Sequence, residues 1–284
     1  MKRGLVLEGG AMRGMFTAGA LDVLMEEGIE VDGVIGVSAG AAFGCNFKSR
    51  QIGRTIRYNK QFCRDKRYCS LWSLLTTGDL YGMDFCYRQL PEELDLFDND
   101  AFDENPLDFY VVACDIGTGE PVYKKCNKVE QNLLEWLRAS ASMPLVSRIV
   151  EIDGHKLLDG GICDSIPLAQ MERLGFQKNL VILTQPADYR KTPNSAMPLI
   201  RRIFKRYPEM VKIMENRHLM YNRQADQVAE KEASGEILVL RPKEKLPVGR
   251  IEKNPDKLQA AYDLGREAAL ERLAEIKTFL AKEE

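Results

Sequence analysis

The chain opens with apolar runs and helical spacings in strict succession. Residues 4–8 form a short apolar stretch of strand length, closed by Gly9 and Gly10. Residues 15–27 place Phe16, Ala20, Leu21, Leu24 and Met25 on one helical face, with Gly28 as a stop. Residues 31–37 are a second apolar run, and a second helix opens at Ala39. Strand, helix, strand, helix in this rhythm predicts an α/β fold with a mostly parallel central sheet flanked by helices. The pattern is less regular between residues 48 and 106. Residues 109–114 then resume it, and residues 129–141 read as a helix with Leu133, Trp136 and Leu137 inward. Two strands are expected over residues 149–158 around an Asp153-Gly154 turn. A helix over 167–174, with proline near its start and Gly175 past its end, leads to a buried strand over 180–184.

After Pro186 the texture changes. Residues 186–198 are rich in Pro, Asn, Ser and Lys, the mark of a linker or long loop. Charged helices follow, broken by one apolar run, Ile237-Leu238-Val239-Leu240, that reads as a strand rejoining the sheet. We therefore expect a first unit over residues 1–185. A mostly helical C-terminal extension over residues 186–284 packs on it and adds one strand. The last helix is expected over residues 255–282, interrupted at Gly265.

Composition narrows the class. Of 284 residues, 45% are hydrophobic, enough for a sizeable core. Forty basic residues against 42 acidic ones leave a net charge of −2, so no global field recruits nucleic acid and none is expected as a partner. No apolar stretch approaches the roughly 20 residues that span a bilayer. Met1-Lys2-Arg3 is basic, but Leu5-Val6-Leu7 runs straight into Glu8-Gly9-Gly10, which leaves no apolar core for a secretion signal. The expected location is cytoplasmic, with peripheral contact at the inner membrane face left open. Seven cysteines, odd in number, scattered and without a C-x-x-C pair, read as reduced and mostly buried thiols.

Two glycine-rich turns carry the chemistry. Gly36-Val37-Ser38-Ala39-Gly40 is G-x-S-x-G at the end of an apolar strand and before a helix, the context of a nucleophile elbow. Glycines on either side keep neighbouring backbone clear, and the serine Oγ stands beside a helix N-terminus that favours developing negative charge. The bland alternative is a glycine-rich turn with a serine N-cap. Gly9-Gly10-Ala11-Met12-Arg13-Gly14 admits three readings. A dinucleotide fingerprint lacks its second glycine at Ala11, and a P-loop lacks the Lys and Ser/Thr that should follow its last glycine. The third reading is an oxyanion hole, in which small residues let consecutive N–H groups converge on one point. Neighbouring strands of a βαβ unit end at one edge, so the two turns should face each other.

The base is less obvious. Only His155 and His218 exist, one in the expected hairpin beside Asp153 and the other in a charged helix. Either could serve, but neither sits in a strand-end loop with supporting residues. Asp159-Gly160-Gly161 follows the apolar end of a strand and could approach another loop closely; an ordinary Asp-Gly turn is the alternative.

These three pieces in order, Gly9 to Gly14 with Arg13, Gly36 to Gly40 around Ser38, and Asp159 to Gly161, resemble the patatin-like phospholipases. The likeness covers residues 4–168, with the strand near Leu180 as its continuation. It implies a patatin-like three-layer fold and a serine lipid acyl hydrolase using an acyl-enzyme intermediate, with Ser38 as nucleophile and Asp159 as its proton acceptor. Gly9, Gly10 and Ala11 would supply the oxyanion donors, and no metal or other cofactor is required. One departure is visible: Ala11 stands where the family often has a third glycine, and a methyl opposes positive φ there. The loop is expected to form, with its donor set open. A protein that keeps this fold but only binds lipid is the alternative function, and a histidine-dependent hydrolase is a third.

The implied substrate is a lipid ester. Eight basic residues between Lys48 and Arg67, interleaved with aromatics, read either as a patch for anionic headgroups or as a solvated helix face. Arg201, Arg202, Lys205 and Arg206, with Ile203 and Phe204, form a second candidate for membrane-surface contact. The acidic run from 92 to 104 reads as a hydrated loop.

Overall fold

A computed structural model describes residues 1–281. Its strands are β1 (Lys2–Leu7), β2 (Gly33–Val37), β3 (Asp108–Asp115), β4 (Pro121–Lys125), β5 (Val150–Ile152), β6 (His155–Asp159), β7 (Phe176–Ile182) and β8 (Ile237–Leu240). They join in one sheet, ordered β5-β6-β3-β2-β1-β7-β8, with β4 also paired to β3. From β3 through β8 the pairings are parallel, whereas β4, β5 and β6 run antiparallel to their neighbours.

The helices are α1 (Gly14–Glu26), α2 (Ala39–Lys48), α3 (Arg54–Phe62), α4 (Leu71–Thr77), α5 (Asn99–Glu104), α6 (Leu133–Ala141), α7 (Leu168–Arg173), α8 (Met197–Ile203), α9 (Pro208–Ala233), α10 (Pro255–Glu271) and α11 (Leu273–Phe279). They cover both faces of the sheet. Along β1, Leu5 and Leu7 share a core with residues of α1, α2 and α10, while Val6 shares one with α7 and α9. Burial on both faces is why the parallel strands read as unbroken apolar runs.

The periodicity located most strands and the main helices, missed β4, and misjudged several environments. Helix α1 is buried from Gly14 to Leu24, not on one face, because α10 packs over the side turned away from the sheet. The crossing works only through glycines. A Cβ on Gly19 would lie 2.0 Å from the Tyr262 carbonyl oxygen, and one on Gly265 would lie 1.9 Å from that of Phe16. Gly265 is thus a contact point inside an unbroken α10, not an interruption; the break falls at Arg272. Lys282, the end of the expected helix, lies outside the described residues. Residues 129–141 divide into a short 3-10 turn and α6, parted by Asn132 at φ 60°. The irregular stretch holds α3, α4, α5 and a wide π-helical segment, Phe85–Leu94. Its acidic end is no hydrated loop, since buried Asp95 accepts from Arg54 and Arg57.

One arrangement positions everything that follows. β4 runs along one edge of β3, pairing residues 110–114. β2 and β6 share the other edge, end to end: Val37 stands opposite Val112, and Asp159 opposite Ala113. The β5–β6 hairpin reaches this place through a turn with positive φ at both Asp153 (51°) and Gly154 (81°), the backbone of a two-residue type I′ loop.

The α1–α10 crossing gives a first expectation. An alanine in a helix interior ordinarily gains about 1 kcal/mol over glycine. Gly265→Ala should instead lower the melting temperature, by an amount equivalent to about 1–3 kcal/mol, because backbone rather than a movable side chain blocks the methyl. A thermal melt of that variant that matched or exceeded the parent would refute the packing described.

Candidate active site

Each member of the candidate set is placed by a strand end. Ser38 follows β2 and precedes α2 with φ 54° and ψ −122°, a conformation that L-residues rarely adopt and that costs about 1–3 kcal/mol. Its flanking glycines make room: a Cβ on Gly36 would lie 2.6 Å from the Ala41 nitrogen, and one on Gly40 2.4 Å from the Leu7 carbonyl oxygen. Asp159 ends β6. The Ser38 hydroxyl donates to Asp159 Oδ2 at 2.7 Å, and the Gly161 N–H donates to Oδ1 at 2.8 Å. Gly160 presses against β3, where a Cβ would meet the Val112 carbonyl oxygen at 2.3 Å.

The first glycine-rich turn lies at the end of β1, beside Ser38. A Cβ on Gly9 would come within 3.1 Å of that of Ser38. Among the described residues, the N–H groups of Gly9, Gly10 and Ala11 have no acceptor. Ala11 itself adopts φ 49°, so the turn takes positive φ at a non-glycine position. Gly14 opens α1 against Phe43, and Arg13 lies half-buried with its Nε unpartnered.

Burial pushes the Asp159 carboxyl above its ordinary value of 3.8, against the opposing pull of Arg217, the Ser38 hydroxyl, the Gly161 N–H and Lys191. A raised pKa makes the carboxylate a stronger base than a solvated one. Neither histidine lines the cavities at Ser38. His155 pairs through Nδ1 with Asp115 at 2.6 Å, and His218 lies on α9.

Two cavities meet at Ser38. One, of about 110 Å³, is walled by apolar and aromatic residues including Met12, Phe43, Leu90, Phe97, Leu137 and Met143. The other, of about 330 Å³, is polar and holds Asp159, the glycine-rich turn and residues from the C-terminal part of the chain. Burial raises the phenol of Tyr58, which lines the apolar cavity, so that hydroxyl stays un-ionised.

The sequence reading missed the groups that hold the pair. Ser140, fully buried near the end of α6, accepts the Ser38 N–H at 2.8 Å and donates to the Val112 carbonyl at 2.5 Å. Two residues on, the Ser142 carbonyl accepts the Asp159 N–H at 2.7 Å. Nothing but an Ala-Ser-Ala-Ser run at a helix end hinted at this. Glu8 was also missed. Its buried carboxylate accepts from the Thr184 N–H (2.6 Å) and hydroxyl (3.1 Å) and from the Tyr221 hydroxyl (2.8 Å), tying the turn to the segment just past β7 and to α9. The basic span is largely internal or paired: Lys48 donates to the carbonyls of Asn105 and Leu107, and Arg54 to that of Asp95. In the second basic cluster, Arg201 pairs with Glu215 and Phe204 is buried.

A family model described as patatin-like phospholipase matches residues 5–171, and one described as a domain of unknown function (DUF6363) matches residues 207–281. An uncharacterized protein, YjjU, of Escherichia coli (strain K12) is 34% identical over 203 residues, covering 66% of this chain and 54% of that protein. The neuropathy target esterase sws of Drosophila melanogaster is 30% identical over 178 residues, 61% of this chain and 12% of that protein. A patatin-like phospholipase domain-containing protein of Caenorhabditis elegans, ZK370.4, is 30% identical over 178 residues, 61% of this chain and 13% of that protein. The chain thus spans about half the length of the first relative and far less of the others. Among solved structures, VipD from Legionella pneumophila covers 96% of this chain and 67% of its own, at TM-score 0.47 and 13% identity.

Two stability expectations follow from the geometry. Ser38→Gly should melt above Ser38→Ala, because only glycine relieves the positive φ while both remove the hydroxyl. Ser140→Ala should destabilise by about 1–3 kcal/mol, since it strands the Ser38 N–H and removes a donor from the Val112 carbonyl. Equal melting of the two Ser38 variants, or an unchanged Ser140→Ala protein, would contradict these contacts.

Proposed function

The chain belongs to the patatin-like phospholipase family, and on that premise we propose that it is a serine hydrolase of lipid carboxylic esters working through Ser38 and Asp159. The observation that carries this reading is the 2.7 Å hydrogen bond between the two side chains, buried where an apolar and a polar cavity meet.

The acyl chain lies in the apolar cavity and its carbonyl carbon beside Ser38 Oγ. Asp159 takes the hydroxyl proton as Oγ attacks, and the developing oxyanion is met by the free N–H groups of Gly9, Gly10 and Ala11, joined by that of Ala39 at the start of α2. Collapse breaks the ester C–O bond. The proton on Asp159 passes to the leaving alkoxide, giving an alcohol and an acyl-Ser38 ester. Water then enters, Asp159 removes its proton, and the acid is released with Oγ reprotonated. The helix dipole of α2 and the dry surroundings strengthen each of these interactions.

A lipid substrate calls for a route from a membrane. Among the described residues no helix is long and apolar enough to cross one. Helix α4 instead exposes Leu71 (72%), Trp72 (52%) and Leu75 (86%), close in sequence to Arg64, Lys66 and Arg67. We assign this edge a peripheral contact with an anionic lipid surface. Leu80, just beyond α4, lines the polar cavity, so the contact would lie near the site.

A fluorophosphonate probe should label the parent and not Ser38→Ala, whereas Asp159→Asn should lose hydrolysis by orders of magnitude. Full activity after replacing both histidines is also expected. An unlabelled parent would leave a lipid-binding protein without turnover. The pH dependence has a definite sign. Because the folded Asp159 pKa is raised and the ionised form is the base, the acid limb of kcat/KM should lie above the ordinary 3.8. The same shift means that stability from this carboxyl is full at low pH and lost as pH rises through the folded pKa. Asp159→Asn should therefore gain in melting temperature at pH 8 relative to pH 4. A limb at or below 3.8 would oppose the assignment. On anionic vesicles, a Trp72→Ala, Leu75→Ala double variant should lose about tenfold in rate, while short water-soluble esters are cleaved as before; equal losses on both would remove the lipid-surface role.

A further inference from the structure

Ester cleavage leaves the charge of the polar cavity unused. Arg13 of the glycine-rich turn, Lys191 of the long loop, Arg217 of α9 and Arg250 of the loop before α10 all line it. Two carboxylates face them, Glu8 and Asp159, so the walls hold two positive charges in excess. Both carboxylates are already engaged, Glu8 by Thr184 and Tyr221, Asp159 by Ser38 and Gly161. Among the described residues none of the four cations makes an ion pair. Arg217 Nε donates to the Gly161 carbonyl, which holds its guanidinium beside Asp159, and its terminal nitrogens have no partner among the described residues. Arg13 Nε is buried and unbonded. The Lys191 ammonium lies 4.1 Å from the centroid of the Tyr221 ring.

Partial burial without a counter-ion is costly for Arg13, Lys191 and Arg217, and the more exposed Arg250 adds to the mutual repulsion of the group. Lys191 registers this: burial, then crowding by Arg217, Arg250 and Arg13 against the pull of Glu8, lowers its pKa to about 7. An anion in the cavity reverses both costs. Guanidinium groups match phosphate oxygens in pairs, which makes three arginines a phosphate-like donor set. A quaternary ammonium is poorly served here, because Lys191 already sits at the Tyr221 face that would bind it.

We propose that this cavity is a phosphate subsite, and that the ester cleaved at Ser38 belongs to a lipid whose headgroup ends in a phosphomonoester. The proposal builds on the hydrolase reading above and narrows its substrate. Three of the four cations come from beyond the patatin-like segment, two of them from the stretch matched only to a domain of unknown function. That stretch thereby acquires a role: it closes the site and reads the headgroup.

The test compares kcat/KM for three esters carrying one acyl chain at one glycerol position: 1-acylglycerol 3-phosphate, 1-acylglycerophosphocholine and 1-monoacylglycerol. The parent should prefer the phosphomonoester over the monoacylglycerol by about tenfold or more, the worth of one charged hydrogen-bonded contact. Arg250→Gln and Lys191→Met should each reduce that ratio about tenfold, whereas Arg223→Gln, on the exposed side of α9, should keep it. Binding is read separately as the thermal shift of Ser38→Ala with 1-acylglycerol 3-phosphate or with inorganic phosphate alone. Similar rates on phosphate-bearing and neutral esters overturn the subsite and leave the hydrolase standing. No turnover of any ester, with the phosphomonoester lipid still stabilising Ser38→Ala, sinks the hydrolase and leaves the subsite. Stabilisation by inorganic phosphate alone, without preference among the esters, gives the cavity to the free ion and overturns the headgroup assignment.

Discussion

The shared edge of β3 is the constraint on which the site depends. Two strands cannot occupy the same length of one edge, so β2 ends at Val37 where β6, running the opposite way, ends at Asp159. Chain ends that meet head to head over consecutive residues, Val112 and Ala113, must turn out of the sheet at one spot. Ser38 and the Asp159 side chain are what the chain places there. Helix α6 then fastens both ends from above, Ser140 on the Ser38 amide and the Ser142 carbonyl on the Asp159 amide. Ser38 and Asp159 are 121 residues apart in sequence, yet their relative position is set by sheet pairing plus two hydrogen bonds from a single helix turn.

Under the proposed function, that rigidity is what lets an aspartate stand where a histidine is more usual. A solvated carboxylate is too weak a base for a serine hydroxyl, and burial is what strengthens it. Burial also costs stability, which the fold offsets locally by aiming the Gly161 N–H at Oδ1 and the Ser38 hydroxyl at Oδ2. Arg217 and Lys191 lie near enough to pull the pKa back without removing the shift. The positive φ at Ser38 belongs to the same balance: strain in the turn is held by α2 on one side and Ser140 on the other.

The sequence carried the first βαβ unit and the three motif segments because both depend on local rules. Strand runs buried on both faces and glycines at strand ends are visible one window at a time. The supports were not, for a definite reason. Ser140, Tyr221 and Arg217 are ordinary residues on helices whose roles arise from partners far away in the chain. Gly265 misled in the same way: a glycine in a helical stretch looks like a breaker until the carbonyl of Phe16 is found against it. The basic span shows the reverse error, since Lys48 and Arg54 read as surface charge but satisfy buried carbonyls.

These two classes of error bear on where the molecule's specificity resides. The segment matched to the patatin-like family supplies the serine, the aspartate and the glycine-rich turn, which under the proposed function act on the ester group and are indifferent to what the alcohol carries. The wall facing them is built by residues after 186, through Lys191, Arg217, Tyr221 and Arg250. It is fixed to the catalytic side by the Tyr221 bond to Glu8, by the Arg250 carbonyl accepting from the Met12 N–H, and by α10 locked into α1 at Gly19 and Gly265. Through Arg217 and Lys191 this wall also acts on Asp159, pulling its pKa down against the rise that burial causes. Under the proposed function, chemistry and selectivity are divided along the chain but joined in space. Changes in the C-terminal helices should alter which ester is accepted and, through Asp159, the pH at which it is cleaved.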